Sequence, residues 1–493
     1  MKSSKAMQSR VNIILGPPGT GKTTTLLNIV DEAIESGVPP ERIAYLAFTR
    51  KAAYEAQSRA MVRFNIDEDK LPYFRTLHSL AFRQLGIQRD EVMTENHYRK
   101  LGKALGVEFR GIYDDAVHIP IGDGLGDKCA RIEALSRVRM CSIETQYRLS
   151  NERDLTLHAC NQFAKSIKHY KSDNGLLDFT DMLEKYDSEL DVDICIFDEA
   201  QDLSSLQYKM AIKLSAAANQ IYIAGDDDQA IFGWAGADVK KFLSLKGERT
   251  ILPQSFRTPF SVHKLSQAIS SRIQNRYDKT WNSRPEQGNV EWLSHEEQLD
   301  LSRAGSWMLL SRSKYLLTRF KRICQQQGHG YKMFGKSSID TQETRAIISW
   351  EQLRKAQKLS PSEAKNLIQF IPGIKKLPDL QTYTLADFGF ASAARQYDWM
   401  TVLKAIAPEE REYLRACLRN GEKFGTEPRI IISTIHQVKG GEADNVALVT
   451  DMGTLSWKNI TSDEEIRVWY VAATRTRQNL FLIRPRTIKF FDM

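Results

Sequence analysis

Residues 16–23, Gly-Pro-Pro-Gly-Thr-Gly-Lys-Thr, have the composition of a loop that wraps around a polyphosphate. Glycines let the backbone curl closely around phosphate oxygens, and a helix that follows turns its first N–H groups towards them. Lys22 adds a positive charge, and the Thr23 hydroxyl can ligate Mg²⁺. The residues that we expect to bind nucleotide here are Gly16, Pro17, Pro18, Gly19, Thr20, Gly21, Lys22, Thr23 and Thr24.

A pair of carboxylates, Asp198 and Glu199, follows the apolar run 192–197. Asp198 would hold Mg²⁺ together with Thr23, and Glu199 would orient or deprotonate an attacking water. As a bare dipeptide, Asp-Glu is more often a solvated strand end. The phosphate loop upstream favours the catalytic interpretation, because the loop's chemistry needs both a metal ligand and a base.

Strand-to-helix transitions must position these residues. The apolar run 11–15 enters the loop, and apolar residues then recur at helical spacing. Further strands are predicted at 43–48, 192–197 and 221–224, each followed by polar residues. Parallel strands of an open α/β sheet present their carboxyl ends at one ligand-binding edge. The pattern therefore predicts an α/β domain with the loop and the carboxylates at the same edge.

The composition is that of an ordinary globular chain of about three domains, with 493 residues, 42% hydrophobic and 26% charged. The 69 basic and 61 acidic residues give a charge of +8, which favours a polyanionic partner without requiring one. Six cysteines without metal-ligand spacing argue against disulfide, zinc and iron-sulfur frameworks. Neither a signal peptide nor a membrane span is predicted, and we expect a cytoplasmic protein.

Longer segments carry a specific resemblance. The carboxylate pair extends to Asp-Glu-Ala-Gln-Asp at 198–202, and Gly-Asp-Asp-Asp-Gln at 225–229 is followed by a tryptophan five residues after its glutamine. In these segments the chain resembles the UvrD/Rep-type superfamily 1 DNA helicases. Segments 252–257, 431–442 and 464–475 resemble the family's motifs at the start of the second motor domain and its fifth and sixth motifs. The matches keep the family order.

The resemblance implies two RecA-like P-loop NTPase domains with parallel sheets, each carrying a mainly helical insertion, and ATP in the cleft between them. The second insertion looks much shorter than in larger family members. The expected bounds are 1–86 and 176–250 for the first motor domain, 87–175 for its insertion, 251–349 and 426–493 for the second motor domain, and 350–425 for its insertion.

For the nucleotide, the resemblance implies that Gln229 senses the γ-phosphate and that Arg257 and Arg475 neutralise charge on the transferred phosphoryl group. Viewed alone, either arginine would be an ordinary surface ion-pair partner. Phe256 would stack on adenine, for which an aromatic body suffices. Glu442 matches a position near the nucleotide sugar.

For DNA, the resemblance implies contacts from aromatic, hydroxyl and basic side chains. Bases stack on aromatic faces with about 1–3 kcal/mol each and with little sequence preference. Core packing stays an alternative for Phe232 and Trp234 until their exposure is known. Trp457 lies where the family has a strand-separating pin. The alternative is that Trp457 is a simple packing or surface residue. The expected DNA-binding residues are Phe48, Thr49, Arg50, His78, Phe232, Trp234 and His436.

Two positions depart from the family pattern. Ala235 stands where the family commonly has arginine after the motif tryptophan, so coupling between DNA and nucleotide could be weaker or rerouted. Gln8 lies only eight residues before Gly16, closer than the glutamine with which the family reads adenine. The preference for ATP over other triphosphates is therefore open.

The resemblance implies an ATP-dependent DNA helicase that uses ATP and Mg²⁺, translocates 3′ to 5′ on single-stranded DNA and unwinds duplex. We expect it to act as a monomer on single strands and junctions, with proteins of replication or repair as partners. Only 18 residues follow Arg475, so we expect no appended nuclease domain. The alternatives are a single-strand-stimulated translocase that removes proteins without unwinding, and a nucleotide-gated DNA-binding switch, against which the set of catalytic residues argues.

Overall fold

The computed structural model describes residues 10–111, 119–150, 152, 154–374 and 376–493. Gln8 lies outside these ranges. The chain divides into two compact units, which we describe separately. The first unit comprises Met1–Arg257, Ser270–Arg284 and Ser462–Arg467, and the second comprises Thr258–Ile269, Pro285–Thr461 and Val468–Met493.

The first unit is built on a six-stranded sheet in the order β3-β2-β4-β5-β1-β6, in which every pairing is parallel. Strands β2 and β4 are buried along their whole length, as expected where helices cover both faces of a parallel sheet. The strands are β1 (Val11–Leu15), β2 (Ile43–Ala47), β3 (Phe74–Thr76), β4 (Ile194–Asp198), β5 (Gln220–Gly225) and β6 (Glu248–Ile251).

Helices connect these strands, and those between β3 and β4 make up most of the region predicted as the first insertion. They are α1 (Lys22–Glu35), α2 (Arg50–Phe64), α3 (Leu77–Gln84), α4 (Glu95–Leu105), α5 (Leu125–Val138), α6 (Ile143–Ser150), α7 (Leu157–Asp173), α8 (Phe179–Lys185), α9 (Ser205–Leu214) and α10 (Val239–Ser244).

The strand order brings three chain segments to one edge of the sheet. Strand β5 lies between β1 and β4, and all three run in the same direction. The loop after β1, the carboxylates at the end of β4 and the turn after β5 therefore share the carboxyl edge.

The second unit contains a seven-stranded sheet in the order β10-β9-β11-β8-β12-β13-β7. Only the short β10 pairs in the antiparallel sense among the described strands. The strands are β7 (Asn289–Leu293), β8 (Trp307–Ser311), β9 (Tyr331–Met333), β10 (Lys336–Ser337), β11 (Ile430–Thr434), β12 (Ala443–Val449) and β13 (Thr476–Ile483). The predicted α/β class with largely parallel sheets is confirmed.

The remaining helices lie between Phe260 and Ala473. In the described part of the chain, no helix is both long and apolar enough to cross a bilayer. The helices are α11 (Phe260–Ser270), α12 (Leu317–Gln327), α13 (Gln342–Arg354), α14 (Pro361–Leu367), α15 (Trp399–Val402), α16 (Pro408–Arg419), α17 (Thr454–Lys458) and α18 (Asp463–Ala473).

Three segments that the sequence assigns to the second motor domain group with the first unit. They are residues 251–257, 270–284 and 462–467. Asp463 explains part of this grouping, because its carboxylate accepts hydrogen bonds from the backbone N–H groups of Gln274 (2.8 Å) and Asn275 (2.9 Å). The bounds of the motor domains and of their insertions stay predictions.

A buried ionic network joins α5, α7 and α8. Arg137 lies 2.9 Å from Asp178 and 2.5 Å from Asp181, and Lys171 lies 2.6 Å and 2.7 Å from the same carboxylates. Arg137 also contacts Glu133 at 3.2 Å. Burial is the main reason that the pKa of Glu133 is raised to about 7.

We expect the free energy of unfolding to fall by roughly 1–3 kcal/mol between pH 5 and pH 8 because of Glu133. The unfolded chain releases this proton near a pKa of about 4.3, whereas the folded protein keeps it to about 7, so rising pH favours unfolding. Urea unfolding of the wild type and of Glu133→Gln at both pH values measures the difference. Glu144→Gln, an exposed change on α6, is the control. An identical pH dependence in Glu133→Gln and the wild type would contradict the assignment.

Candidate nucleotide site and nucleic-acid interface

The loop after β1 is shaped for an anion. Gly19 and Gly21 have φ angles of +70° and +80°, which favour glycine. A Cβ on Gly16 would lie 1.9 Å from Lys22 Cγ, so the Lys22 stem needs glycine there. Helix α1 begins at Lys22 with Gly21 as its N-cap, and within the described residues no side chain caps it and no acidic residue lies in its first turn. Its first N–H groups can therefore bind phosphate.

The two carboxylates at the end of β4 have different surroundings. Asp198 is buried, and the Tyr45 hydroxyl donates to its Oδ2 at 2.8 Å. Glu199 has a φ angle of +54°, which turns its side chain towards the loop, where Oε1 lies 3.0 Å from Lys22 Nζ. The Gln201 amide donates to the other oxygen of Glu199 at 2.6 Å. The structure thus brings Lys22, Asp198 and Glu199 together.

The electrostatics reflect this crowding. Burial, and next the charge of Glu199, raise the pKa of Asp198 to about 6. Burial acts to lower the pKa of Lys22, but Glu199, Asp226 and Asp198 outweigh it, so the pKa is raised and Lys22 stays charged. A buried cation that contacts carboxylates can contact the phosphates of a nucleotide in their place.

Gln229 lies in the turn that follows β5. A 3₁₀ turn spans Asp227–Gln229, and the Gln229 amide donates to Asp226 Oδ2 at 2.7 Å. The backbone N–H of Asp226 donates to Gln201 Oε1 at 3.0 Å. Gln201 therefore connects the turn with Glu199. The contacts of Gln201 with Glu199 and Asp226 were not evident from the sequence, in which Gln201 stands between Ala200 and Asp202.

Lys279 and Arg276 hold the three aspartates of this turn. Lys279 is fully buried, and its Nζ lies 3.0 Å from Asp226 and 3.1 Å from Asp228, with a further close contact to Asp227. Arg276 lies 2.7 Å from Asp228. Neither cation was predicted from the sequence. The available signal was the run of three aspartates at a strand end, which cannot be buried without compensating positive charge.

Phe256 and Arg257 lie against the phosphate loop. The backbone N–H of Phe256 donates to Gly19 O at 2.8 Å, and the Ser255 hydroxyl donates to Pro18 O at 2.7 Å. A Cβ on Gly19 would lie 2.2 Å from Arg257 Cβ, so glycine permits this approach. The Phe256 ring is 73% exposed. Both side chains are therefore beside the loop, and the ring has a free face for a base.

Three predicted site residues belong to the second unit. Arg475 is buried, and its guanidinium donates to the carbonyl oxygens of Val471 (3.0 Å) and Gly441 (3.1 Å). Glu442 forms an ion pair with Arg477. Burial, and next Arg312 and Lys439, lower the pKa of His436 to about 3, so this imidazole is neutral at physiological pH. The nucleotide and DNA roles of these residues stay predictions.

The predicted DNA-binding aromatics of the first unit form a continuous set. The Phe48 and Phe232 ring centroids are 5.4 Å apart, and those of Phe232 and Trp234 are 6.5 Å apart. His78 meets the Phe179 ring edge-on at 5.9 Å. A narrow cleft is lined by Phe48, His78, Phe179 and Phe232 together with neighbouring aliphatic and polar side chains.

Exposure separates the candidate DNA contacts into two kinds. Phe232 is only 8% exposed and is mainly a packing residue, whereas Trp234 is partly exposed and can offer a ring face. Thr49 caps α2 by accepting from the Ala52 N–H at 3.2 Å, and Arg50 beside it is exposed. The alternative of core packing thus describes Phe232 better than Trp234.

The metal ligands available at the loop are few. Within the described ranges, no group of three or more His, Cys, Asp and Glu side chains is arranged to hold a metal ion by itself. A nucleotide site needs fewer protein ligands, because phosphates and waters fill most positions around Mg²⁺. The Thr23 hydroxyl at the start of α1 and the buried carboxylate of Asp198 suit such an ion.

Comparison with known proteins agrees with this geometry. A profile described as the UvrD/REP helicase N-terminal domain matches residues 2–249, and one described as the UvrD-like helicase C-terminal domain matches residues 153–487. The chain belongs to the UvrD/Rep helicase family. The resemblance given by its motifs is thereby confirmed, as is the RecA-like class of the UvrD-type domains.

Several curated relatives are similar to this UvrD/Rep family member. The ATP-dependent DNA helicase Rep of Buchnera aphidicola subsp. Baizongia pistaciae is 24% identical over 396 residues, which are 73% of this chain and 55% of the relative. The probable DNA helicase II homolog of Rickettsia felis is 24% identical over 429 residues, 76% of this chain and 62% of the relative. The ATP-dependent DNA helicase PcrA of Staphylococcus aureus is 24% identical over 291 residues, which are 54% of this chain and 38% of the relative. The chain spans about half the length of these relatives.

Proposed function

We propose that this protein is an ATP-dependent DNA helicase that translocates 3′ to 5′ on single-stranded DNA and separates duplex strands. The observation that carries the proposal is the contact of Lys22 with Glu199 at 3.0 Å, beside an uncapped helix N-terminus and the buried Asp198. This arrangement suits phosphoryl transfer from a nucleoside triphosphate to water. The relatives named as DNA helicases support the choice of DNA.

The hydrolytic step needs the charges to rearrange. The loop N–H groups and Lys22 would bind the phosphates, so Lys22 would leave Glu199 and free a carboxylate for the attacking water. The Gln201 amide would keep Glu199 oriented. Mg²⁺, when held by Thr23 and Asp198, would supply positive charge to the transferred phosphoryl group.

Further residues would complete the nucleotide site. Gln229 would sense the γ-phosphate from a turn held by Asp226, and Arg257 beside Gly19 would neutralise charge on the transferred phosphoryl group. Phe256 would stack on the base with its exposed ring. The roles of Arg475 and Glu442 rest on the resemblance of their segments to the sixth and fifth family motifs.

The DNA interface would use the surface near the carboxyl edge of the first sheet. Trp234 would stack on a base, Arg50 would approach a phosphate, and His78 would hydrogen-bond within the cleft. Stacking is independent of base identity, which suits a motor that must pass over any sequence. The 3′ to 5′ direction rests on the family resemblance, and so does a contact from His436.

Strand displacement on matched duplexes with a 3′ tail, a 5′ tail or blunt ends tests the proposal. We expect displacement with Mg²⁺ and ATP only from the 3′-tailed duplex, together with hydrolysis that single-stranded DNA stimulates. Stimulated hydrolysis without displacement from any substrate would favour a protein-removing translocase. No stimulation by DNA would favour a nucleotide-gated switch, and displacement only from the 5′ tail would contradict the proposed direction.

A further inference from the structure

The turn that carries Trp234 is held from two sides by charged side chains distant in sequence. Glu464 accepts a hydrogen bond from the Trp234 N–H at 2.8 Å, and Arg139 donates to the Gly233 carbonyl oxygen at 2.6 Å. Glu464 lies in the first turn of α18, and Arg139 follows α5 directly. All four lie in the first unit.

The backbone of the turn is shaped to receive these partners. Gly236 has a φ angle of +99°, and a Cβ there would lie 2.7 Å from Val138. A Cβ on Gly233 would lie 2.8 Å from the Glu464 carboxylate. The two glycines therefore allow α5 and Glu464 to approach the turn on opposite flanks of Trp234.

The Arg139 side chain also has a hydrogen-bond partner outside the turn. Its second terminal nitrogen donates to the buried Gln146 side chain at 2.9 Å, so the guanidinium bridges α6 and the Gly233 carbonyl. Hydrogen bonds to ionised groups are about twice as strong as neutral ones. Arg139 and Glu464 together hold one carbonyl and one N–H of adjacent residues, which fixes the peptide plane between Gly233 and Trp234.

The orientation of Trp234 depends on this peptide plane. The Trp234 ring lies near Phe232, with the two ring centroids 6.5 Å apart, and Phe232 is buried beside Phe48, whereas Trp234 itself is partly exposed. We propose that Arg139 and Glu464 are positioning residues that hold Trp234 in the orientation in which it stacks on single-stranded DNA. This inference rests on the DNA-binding role given to Trp234 in the proposed function.

A double-mutant cycle on binding of fluorescein-labelled (dT)₂₀ tests the inference. Arg139→Met should raise the Kd about tenfold in the wild-type background, the loss expected when about one base stack is displaced. In a Trp234→Leu background the same change should alter the Kd less than about twofold, because the stack is already absent. If Arg139 only stabilised the fold, Arg139→Met would weaken binding by the same factor in both backgrounds, and that result would overturn the inference.

Two further variants control for the possibility that Arg139→Met weakens binding through a folding defect. Glu464→Gln removes the charge from the other side of the turn, and Gly233→Ala keeps every charge while its methyl group displaces the Glu464 carboxylate. Both should weaken (dT)₂₀ binding in the same Trp234-dependent way, with unchanged circular dichroism. Arg148→Met, an exposed change on α6, is the matched control and should leave the Kd within about twofold.

The outcomes separate this inference from the proposed function. A wild-type protein that does not bind (dT)₂₀ would contradict the DNA-binding role itself. Wild-type binding that depends on Trp234 but is unaffected by all three turn variants would overturn the positioning role alone. Hydrolysis of ATP without DNA is recorded in the same samples, and for Arg139→Met we expect it to stay within about twofold of the wild type.

Discussion

Glu199→Gln is expected to lower the rate of ATP hydrolysis about 1000-fold while nucleotide binding is retained. General-base catalysis contributes about 100- to 10,000-fold, and an amide cannot accept the proton of the attacking water. The change also removes the negative charge that lies 3.0 Å from Lys22, so Lys22 becomes more available to phosphate. Single-turnover hydrolysis and titration with a fluorescent ATP analogue measure the two effects separately.

The fold should tolerate this substitution. Glu199 is one of the reasons that the pKa of the buried Asp198 is raised. Loss of the Glu199 charge therefore removes a repulsion with Asp198 as well as the attraction to Lys22. Glu189→Gln, an exposed carboxylate before β4, is the matched control and should hydrolyse ATP at the wild-type rate. Hydrolysis of the Glu199→Gln protein within about tenfold of the wild type would exclude Glu199 as the base. Full strand displacement by a variant that does not hydrolyse ATP would contradict the motor proposal.

Lys279→Met is expected to destabilise the protein by about 3–5 kcal/mol. The substitution leaves Asp226, Asp227 and Asp228 buried without the ammonium that contacts all three, and removal of one partner of a buried ionic group costs about that much. Arg276 lies 2.7 Å from Asp228 and would keep part of the compensation for that carboxylate. Urea unfolding followed by circular dichroism measures the loss.

A lysine at the surface provides the control for this effect. Lys213 is partly exposed and pairs with the exposed Asp187 at 3.2 Å, and Lys213→Met should cost no more than about 1 kcal/mol. Because the aspartates begin the turn that carries Gln229, we also expect Lys279→Met to impair hydrolysis more than Lys213→Met does. Equal stability of the two variants would show that the aspartates do not depend on Lys279.

Much of the nucleotide site was predictable from local sequence. The apolar run before residues 16–23, the glycines of the loop and the helical spacing after it all lie within one short stretch. Such patterns determine a strand, a turn and a helix by short-range sterics and burial. Because parallel strands share a carboxyl edge, the same reasoning also brought Asp198 and Glu199 to Lys22, which the structure bears out at 3.0 Å between Glu199 and Lys22.

The polar partners of these residues were decided only by the tertiary structure. Tyr45 meets Asp198 from 153 positions away, and Glu464 meets Trp234 from 230 positions away. A single tyrosine or glutamate carries no periodic signal, and whether it reaches a partner depends on how distant segments pack. Sequence patterns therefore predicted the backbone elements and the phosphate loop, whereas long-range packing determined the burial of Phe232, the cations around Asp226 and the contacts that hold Trp234.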